Sequence, residues 1–296
     1  MLQQTATSAR PLRLTSDIGR EIDTARHQGV RIEIPPCPVL LTRLQKAMRA
    51  EDPDLTEVAR IASSDVAMSL SLLQAANSPA FTSGQGVSTV GHAIGRLGLK
   101  QTASVLAGYL VQRAVPAKDR HLDRFWERSR QRAEWLAFIA RRLPGLSPDL
   151  AHTYGLFCHV GLPVLLQGMK GYGATLVEAS ARLDCDMVAL ENERHHTDHA
   201  VVGALVARVW QLDPAVMAAI RVHHELSSLS ESCTEPEVQT LVAAGVVADH
   251  LQRRHEGLSP DRDWVVHGPA ALKWLHVSED DLAIWEEELS VLPVTA

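Results

Sequence analysis

Apolar residues recur at spacings of three and four along most of this chain, and that pattern is typical of amphipathic helices. The clearest example begins just after Pro116, where an apolar stripe runs from Asp119 to Leu143 and ends at Pro144-Gly145. An alternating pattern that would indicate a β-strand is confined to residues 30–34. No repeat of fixed period is visible. The sequence therefore predicts a fold that is nearly all α.

Short helices are predicted before Pro116, separated by proline, glycine and aspartate. Residues 1–15 are polar without a period and are expected to form a frayed leader, and a short helix is predicted from Ser16 to Gly29. Three prolines after residue 34 end the strand-like run and precede another helix. Further helices are predicted to begin near Asp54, Asp65 and Ser88, the last with a break at Gly98.

Beyond the long helix, the same spacing predicts a series of helices. They cover Asp149 to His159, Val164 to Leu183, Met187 to Arg194, Asp198 to Trp210, Pro214 to His224, Pro236 to His255 and Ser278 to Leu289. At the start of the last helix, Ser278 and Asp281 resemble a capping box. Because Pro116 is the best boundary, we expect a leader and short helix over 1–30, two lobes over 31–115 and 116–228, and a C-terminal helical extension over 229–296 that packs on the second lobe.

The composition is that of an ordinary globular protein, with 46% hydrophobic residues, 22% charged residues and a mean hydropathy of −0.04. The longest apolar stretches, such as Leu156 to Leu166, are too short to cross a bilayer. Met1 to Arg10 also lacks the apolar core of a signal peptide. We therefore expect a cytoplasmic protein with no membrane partner.

The net charge of −6 disfavours nucleic acid as a partner, because such binding rests on a basic surface that neutralises phosphates. The charge is unevenly spread. The chain up to Val115 has 12 basic and 9 acidic residues, or +3, and the remainder has a net charge of −9. The two lobes are therefore expected to differ in charge.

The cysteines Cys37, Cys158, Cys185 and Cys233 are widely scattered and include no Cys-x-x-Cys pair. This spacing supports neither a disulfide framework nor a zinc ribbon, and we expect buried thiols. Cys158 stands beside His159, but neighbours in a helix point about 100° apart, so a thiolate nucleophile is disfavoured and a core position is favoured.

Histidines are numerous, and 11 of the 14 follow residue 151. Imidazoles from several packed helices, together with a carboxylate such as Asp249, could hold a divalent metal that activates water. His195 and His199 lie one turn apart and could share a metal, although Thr197 and Asp198 equally resemble a helix start. Each histidine alone is more often a surface or hydrogen-bonded core residue.

Arginines form a stripe along the long helix at every fourth position. They are Arg120, Arg124, Arg128 and Arg132. Like charges at this spacing weaken an isolated helix slightly. Two interpretations remain open: a solvated face, or a face covered by an acidic partner or by another helix of the same chain, such as the acidic C-terminal one.

Four ordered motifs in the first lobe carry a family resemblance. They are IPPCPVL at 34–40, VARIASSD at 58–65, LLQAANSP at 72–79 and VSTVGHAIGRLG at 87–98. Further motifs follow in the second lobe: FWERS at 125–129, GLFCHVG at 155–161, DHAVVGA at 198–204 and HHE at 223–225. The succession resembles the HDOD family, a bacterial signal-output domain related to HD-type metallophosphohydrolases. We assign residues 31–228 to an HDOD-like domain, which implies a multi-helix HD-like fold in two lobes.

The resemblance also implies which positions formed the metal site of the active relatives. Where such enzymes have a histidine in the long helix, just before Ser129, this chain has Arg128, and where they have the aspartate of the His-Asp pair, it has Val160. Valine offers no lone pair, and an arginine near a metal repels it. The other positions keep potential ligands: His159, His199, His223, His224 and Asp249. The glycine-tyrosine-proline element is absent as well, so the site is expected to be vestigial and to hold no metal or other cofactor.

We therefore predict a non-enzymatic bacterial signal-transduction or regulatory protein with a degenerate HD site, which acts through contacts with signalling proteins that the sequence does not identify. The alternative is a metal-dependent phosphohydrolase of nucleotides or cyclic nucleotides, with a site rebuilt from the remaining histidines and Asp249 around a divalent metal. A DNA-binding regulator would need a basic recognition helix and is disfavoured by the net charge of −6.

Overall fold

The computed structural model describes residues 15–27, 32–49, 53–78, 81, 86–115, 120–182, 185–226 and 235–290. In these residues all regular secondary structure is helical, which confirms the all-α prediction. In chain order the helices are α1 Thr15–His27, α2 Val39–Arg49, α3 Leu55–Ala62, α4 Val66–Asn77, α5 Val90–Ala114, α6 Arg120–Ala140, α7 Pro148–Phe157, α8 Gly161–Gly168, α9 Tyr172–Ala181, α10 Met187–His195, α11 His199–Val209, α12 Pro214–Val222, α13 Pro236–His255, α14 Arg262–Leu275 and α15 Glu279–Ser290.

Polar side chains before the helices set many of their starts. Asp54 and Asp65 accept hydrogen bonds from the first-turn amides of α3 and α4, as the sequence predicts. At α15, Ser278 and Asp281 form the predicted capping box, in which each residue's backbone N–H donates to the other's side chain. Gly98, at φ 73°, breaks α5 at the predicted position, because a left-handed residue ends the helical hydrogen-bond pattern.

Two predictions about the elements are wrong, and one helix was not predicted. The strand-like run is irregular over residues 32–34, and its first two residues lie outside the described part of the chain. Of the leader expected over 1–15, only Thr15 is described, and it begins α1. The helix predicted over Val164 to Leu183 is two helices, α8 and α9, because Gly171 at φ 84° reverses the chain between them. Helix α14 was not predicted, since Trp264, Val265 and Val266 favour strands and Pro269 interrupts the helical pattern.

The first lobe is built on α5, which contacts α2, α3 and α4. In the second lobe α6 packs on α7, and α11 packs on α8 and α12. The lobes meet where α5 crosses α7: a Cβ atom on Gly108 would lie 2.8 Å from the Leu156 side chain. They are also joined by Trp210, whose indole N–H donates to the Pro35 carbonyl at 2.9 Å. A continuous apolar core therefore runs through both lobes.

Segments at both ends of the chain pack on the second lobe. Helix α1 lies against α11 and α12 and buries Ile18 and Ile22 completely or almost so. Helix α13 packs against α6 and α12, and α14 and α15 pack against α13. The boundaries at 30, 115 and 228 stay predictions. No described helix has the length and apolar character needed to cross a membrane.

Candidate functional site

Four imidazoles converge in the second lobe. They belong to His159, His199, His223 and His224, and one ring nitrogen of each lies within 4.8 Å of those of the other three. His159 lies in the turn between α7 and α8, His199 is the first residue of α11, and the adjacent pair follows α12. The four histidines among the seven positions assigned to the vestigial metal site therefore form one compact cluster in the fold.

Gly161 allows His159 to approach His199. A Cβ atom on Gly161 would lie 2.1 Å from the His199 carbonyl oxygen and 2.8 Å from the Gly203 amide nitrogen. Such distances are far below van der Waals contact, so only glycine lets the start of α8 lie against α11. The close crossing places the HVG turn beside the first turn of α11, which brings the two imidazoles to a centroid distance of 5.6 Å.

A fully buried carboxylate orients His199. Glu191, in α10, accepts hydrogen bonds from the His199 ring Nδ1 at 2.8 Å and from the His199 backbone N–H at 3.3 Å. Its other oxygen accepts a hydrogen bond from the Tyr172 hydroxyl. Burial, followed by the neighbouring Glu191 carboxylate, raises the pKa of Tyr172 far above its usual value, so this hydroxyl stays a donor. The His199 Nε2 is thereby turned towards the other imidazoles.

The adjacent histidines have different partners. His223 Nδ1 lies 2.7 Å from the Ile220 carbonyl oxygen, and burial, with the three neighbouring imidazoles, holds its pKa well below the usual value. His224 Nδ1 lies 2.9 Å from Asp263 Oδ2, in α14. Burial lowers the pKa of His224, but the hydrogen bond and charge of Asp263 outweigh that effect and raise it.

The remaining carboxylate of the expected site is engaged by an arginine. Asp249, in α13, accepts a hydrogen bond from Arg132 Nε at 2.5 Å, and its second oxygen lies 3.7 Å from His159 Nε2. Burial would raise the pKa of Asp249, but Arg132 and His159 lower it below its usual range. Burial and the Arg132 cation lower the pKa of His159 to about 3, so that imidazole is neutral.

The arginine at the site is therefore one helical turn from the position that we expected. Arg128 forms an ion pair with Glu256 at 2.9 Å, and its side chain is 40% exposed. Arg132 is buried, because that next turn of α6 lies level with Asp249 on α13. Val160 is fully buried in the core and offers no ligand atom.

Two other candidates are separated from the cluster. His195 ends α10, and its Nε2 lies 2.9 Å from the Thr175 hydroxyl, while Asp198 caps α11 by accepting from the Val201 amide. The helix-start interpretation of Thr197 and Asp198 is therefore the right one.

Cys158 is buried, and burial raises its thiol pKa to about 12, which opposes a nucleophilic role.

The arginine stripe and the remaining cysteines, as far as the structure describes them, lie outside the imidazole cluster. The arginine stripe is split: Arg124 is exposed, Arg128 and Arg132 pair with α13, and the side chain of Arg120 lies outside the described residues. Of the thiols, Cys37 and Cys185 are partly exposed, contrary to expectation, and Cys233 lies outside the described residues.

Sequence reasoning missed three residues of the site, Glu191, Asp263 and Arg132. Arg132 had a signal, because it stands one turn from Arg128 in the stripe and could reach the same face. Glu191 lies in a polar run, Glu191 to Arg194, that gives no sign of burial, and Asp263 lies in a helix that was not predicted. Neither carboxylate could be assigned before the packing was known.

The four imidazoles suit a divalent transition metal. In the described part of the chain, the buried Nδ1 of His159 has no hydrogen-bond partner, and three other rings present Nε2 to one another. Neutral imidazole is a common ligand of zinc, copper and nickel. Such an ion, when bound with an open position, polarises phosphoryl oxygens and activates water.

A family model for the HDOD domain matches residues 34–226. An uncharacterized protein from Treponema pallidum (strain Nichols) is 26% identical over 221 residues, which are 74% of this chain and 43% of that protein. The chain thus spans less than half the length of this relative.

Several crystal structures share the fold. An HDOD domain protein of unknown function from Geobacter sulfurreducens is 20% identical, with a TM-score of 0.69 over 92% of this chain and 94% of that one. A candidate phosphohydrolase from Shewanella amazonensis SB2B is 22% identical, with a TM-score of 0.70 over 94% of each chain. A candidate signal transduction protein from Marinobacter aquaeolei VT8 is 18% identical, with a TM-score of 0.71 over 97% of this chain and 65% of that one. With the fold shared and most of both lobes matched by the family model, this chain belongs to the HDOD family.

Proposed function

We propose that this HDOD protein is a non-enzymatic regulator that acts through protein contacts and does not hydrolyse phosphoesters. The observation that carries the proposal is the ion pair between Arg132 and Asp249, beside the imidazole cluster. It engages one oxygen of the carboxylate that a hydrolytic HD site needs as a ligand, and the other oxygen lies 3.7 Å from His159 Nε2. The partners are signalling proteins that nothing in the sequence identifies, and we place the protein in the cytoplasm.

The chemistry of the two altered positions supports this function. A hydrolytic metal centre needs ligands that leave a coordination position open for water and substrate, and carboxylates offset the charge of the ion. Here Val160 supplies no oxygen, and the Asp249 oxygen nearest to α6 accepts from a guanidinium that does not lose its proton. A phosphoryl group would therefore meet imidazoles beside a carboxylate that is already paired with a cation.

Phosphohydrolase activity is the second candidate function, and the imidazole cluster is the observation that favours it. The assay that separates the two uses the purified chain loaded with Mn²⁺, Fe²⁺ or Zn²⁺, with nucleotides and cyclic dinucleotides as substrates. We expect no turnover above that of the His159→Ala variant. Turnover that His159→Ala abolishes would overturn the regulatory proposal.

A further inference from the structure

We infer that the four imidazoles form a closed site for one divalent transition metal of the zinc class, and that Asp263, from the C-terminal helix α14, is a positioning residue of that site. The inference departs from the expectation of a vestigial site without metal. It deepens the proposed function, because metal binding at this site would regulate the protein. The regulatory role rests on the proposed function, whereas metal binding itself does not.

The hydrogen bonds at Nδ1 fix the state of three rings. His199 faces the Glu191 carboxylate, His223 faces the Ile220 carbonyl, and His224 faces the Asp263 carboxylate. Carbonyl and carboxylate oxygens only accept hydrogen bonds, so each Nδ1 carries the proton. In a neutral imidazole the opposite nitrogen, Nε2, then holds a free lone pair.

The Nε2 atoms of His223 and His224 both face the Nε2 atom of His199. The Nε2 of His199 lies 3.2 Å from that of His223 and 3.0 Å from that of His224. Unprotonated nitrogens this close repel one another, and a single cation among them, either a proton or a metal ion, relieves that repulsion. Zinc binds imidazole nitrogen at about 2.0–2.1 Å in a tetrahedron, which sets neighbouring nitrogens about 3.3 Å apart. The observed separations are close to that value.

The ligand set selects the kind of metal. The fourth ring, His159, has a buried Nδ1 that lacks a hydrogen-bond partner among the described residues, and all four ring nitrogens lie within 4.8 Å of one another. Imidazole suits zinc, copper and nickel, whereas magnesium, calcium and manganese prefer oxygen. Four nitrogens complete a tetrahedron, so no position is left for a reacting water.

Asp263 connects this site to a part of the chain beyond the family match at residues 34–226. A carboxylate that accepts from the second nitrogen of a ligating histidine fixes its ring and raises its basicity. Glu191 has that relationship to His199 from α10, and Asp263 has it to His224 from α14. Metal occupancy would therefore favour docking of α14 on the second lobe, and loss of metal would loosen that contact.

Arg262 provides a matched control. It forms an ion pair with Asp186 at 2.8 Å and so also ties α14 to the second lobe, and none of the four clustered imidazoles takes part in that pair. Removing Arg262 weakens the attachment of α14 alone. Removing the Asp263 charge weakens the attachment and leaves His224 without its acceptor.

The test is zinc titration of the full chain after treatment with a chelator. We expect one Zn²⁺ per chain by calorimetry and elemental analysis, affinity reduced about 10- to 100-fold in Asp263→Asn, and affinity unchanged in Arg262→Gln. The inference would be overturned if the chain bound no stoichiometric zinc, or if Asp263→Asn bound zinc as tightly as wild type. It would also be overturned if Asp263→Asn and Arg262→Gln lost zinc affinity equally. His199→Gln should abolish binding; if that variant does not fold, the Asp263 and Arg262 pair still decides.

Cobalt tests whether the site is closed. The Co²⁺ form should absorb with the intensity of a tetrahedral site, and added inorganic phosphate should leave the spectrum unchanged. A spectral change with phosphate would show that the site is open and would overturn this part of the inference.

Zinc binding and phosphohydrolase turnover together distinguish the two proposals. Bound zinc without turnover supports both proposals, and bound zinc with turnover overturns only the regulatory function. Absence of both zinc and turnover overturns only the metal site.

Discussion

Arg132 and Asp249 form an ion pair that joins α6 to α13 across the second lobe, with Nε and Oδ1 2.5 Å apart and the arginine side chain 8% exposed. Because both charges are largely removed from water, each is stabilised mainly by the opposite charge of its partner. The pair lies beside the imidazole cluster, next to His159, whose pKa is lowered to about 3 by burial and by the Arg132 cation.

Loss of the Arg132 cation should destabilise the protein strongly. Arg132→Met leaves Asp249 without its main partner. Removing one member of a fully buried pair costs about 3–5 kcal/mol, and because the Asp249 side chain is 28% exposed we expect a smaller loss, about 2–3 kcal/mol. Chemical unfolding by urea measures this free energy. Arg128→Met is the control, because its ion pair with Glu256 is partly exposed and such pairs contribute about 0–1 kcal/mol. Equal losses in both variants would contradict the burial argument.

Substitution of Gly161 should separate α8 from α11. In Gly161→Ala the new methyl group would overlap the His199 carbonyl oxygen at 2.1 Å, so the backbone must shift. We expect a loss of about 1–3 kcal/mol in the free energy of unfolding, as for other overpacked sites.

Gly95→Ala is the control for that substitution. A Cβ atom at Gly95 meets nothing within 4 Å, and the residue lies inside the helical part of α5 before Gly98. Alanine should therefore stabilise the protein by about 0.5–1 kcal/mol. A Gly161→Ala protein as stable as wild type would show that the close crossing of α8 and α11 is not required.

His152 should make the protein sensitive to mild acid. Burial, with a smaller effect of Arg141, lowers the pKa of His152 to about 4. The unfolded chain, with an ordinary histidine pKa of about 6.5, binds the proton first, so stability is complete above pH about 6.5 and falls as the pH drops towards 4.

The variant His152→Leu should flatten that dependence by up to one proton, or about 1.4 kcal/mol per pH unit. Urea unfolding at several pH values between 7 and 4 measures the slope. His92→Asn, at an exposed position of α5, should leave the slope unchanged. A slope that His152→Leu does not alter would show that His152 takes up its proton in the folded state.

Local signals in the sequence predicted most of the helices. The bounds of α13 were predicted residue for residue, because Pro236 marks its start and the apolar spacing persists to His255. Helix α14 escaped prediction because packing on α13 overrides the strand preference of its first turns and tolerates Pro269. The motifs also located the four clustered histidines, which lie within the family match.

By itself, the sequence determined the helical architecture, the family and the identity of four histidines that could meet, because caps, apolar spacing and ordered motifs are properties of neighbouring residues. The tertiary structure alone decided that Arg132 and not Arg128 reaches Asp249, and that Glu191 and Asp263 orient two of the rings. These relationships join residues 8 to 117 positions apart, and their geometry depends on how helices cross and rotate against one another. Periodicity along one helix specifies a face, but only packing specifies what that face meets.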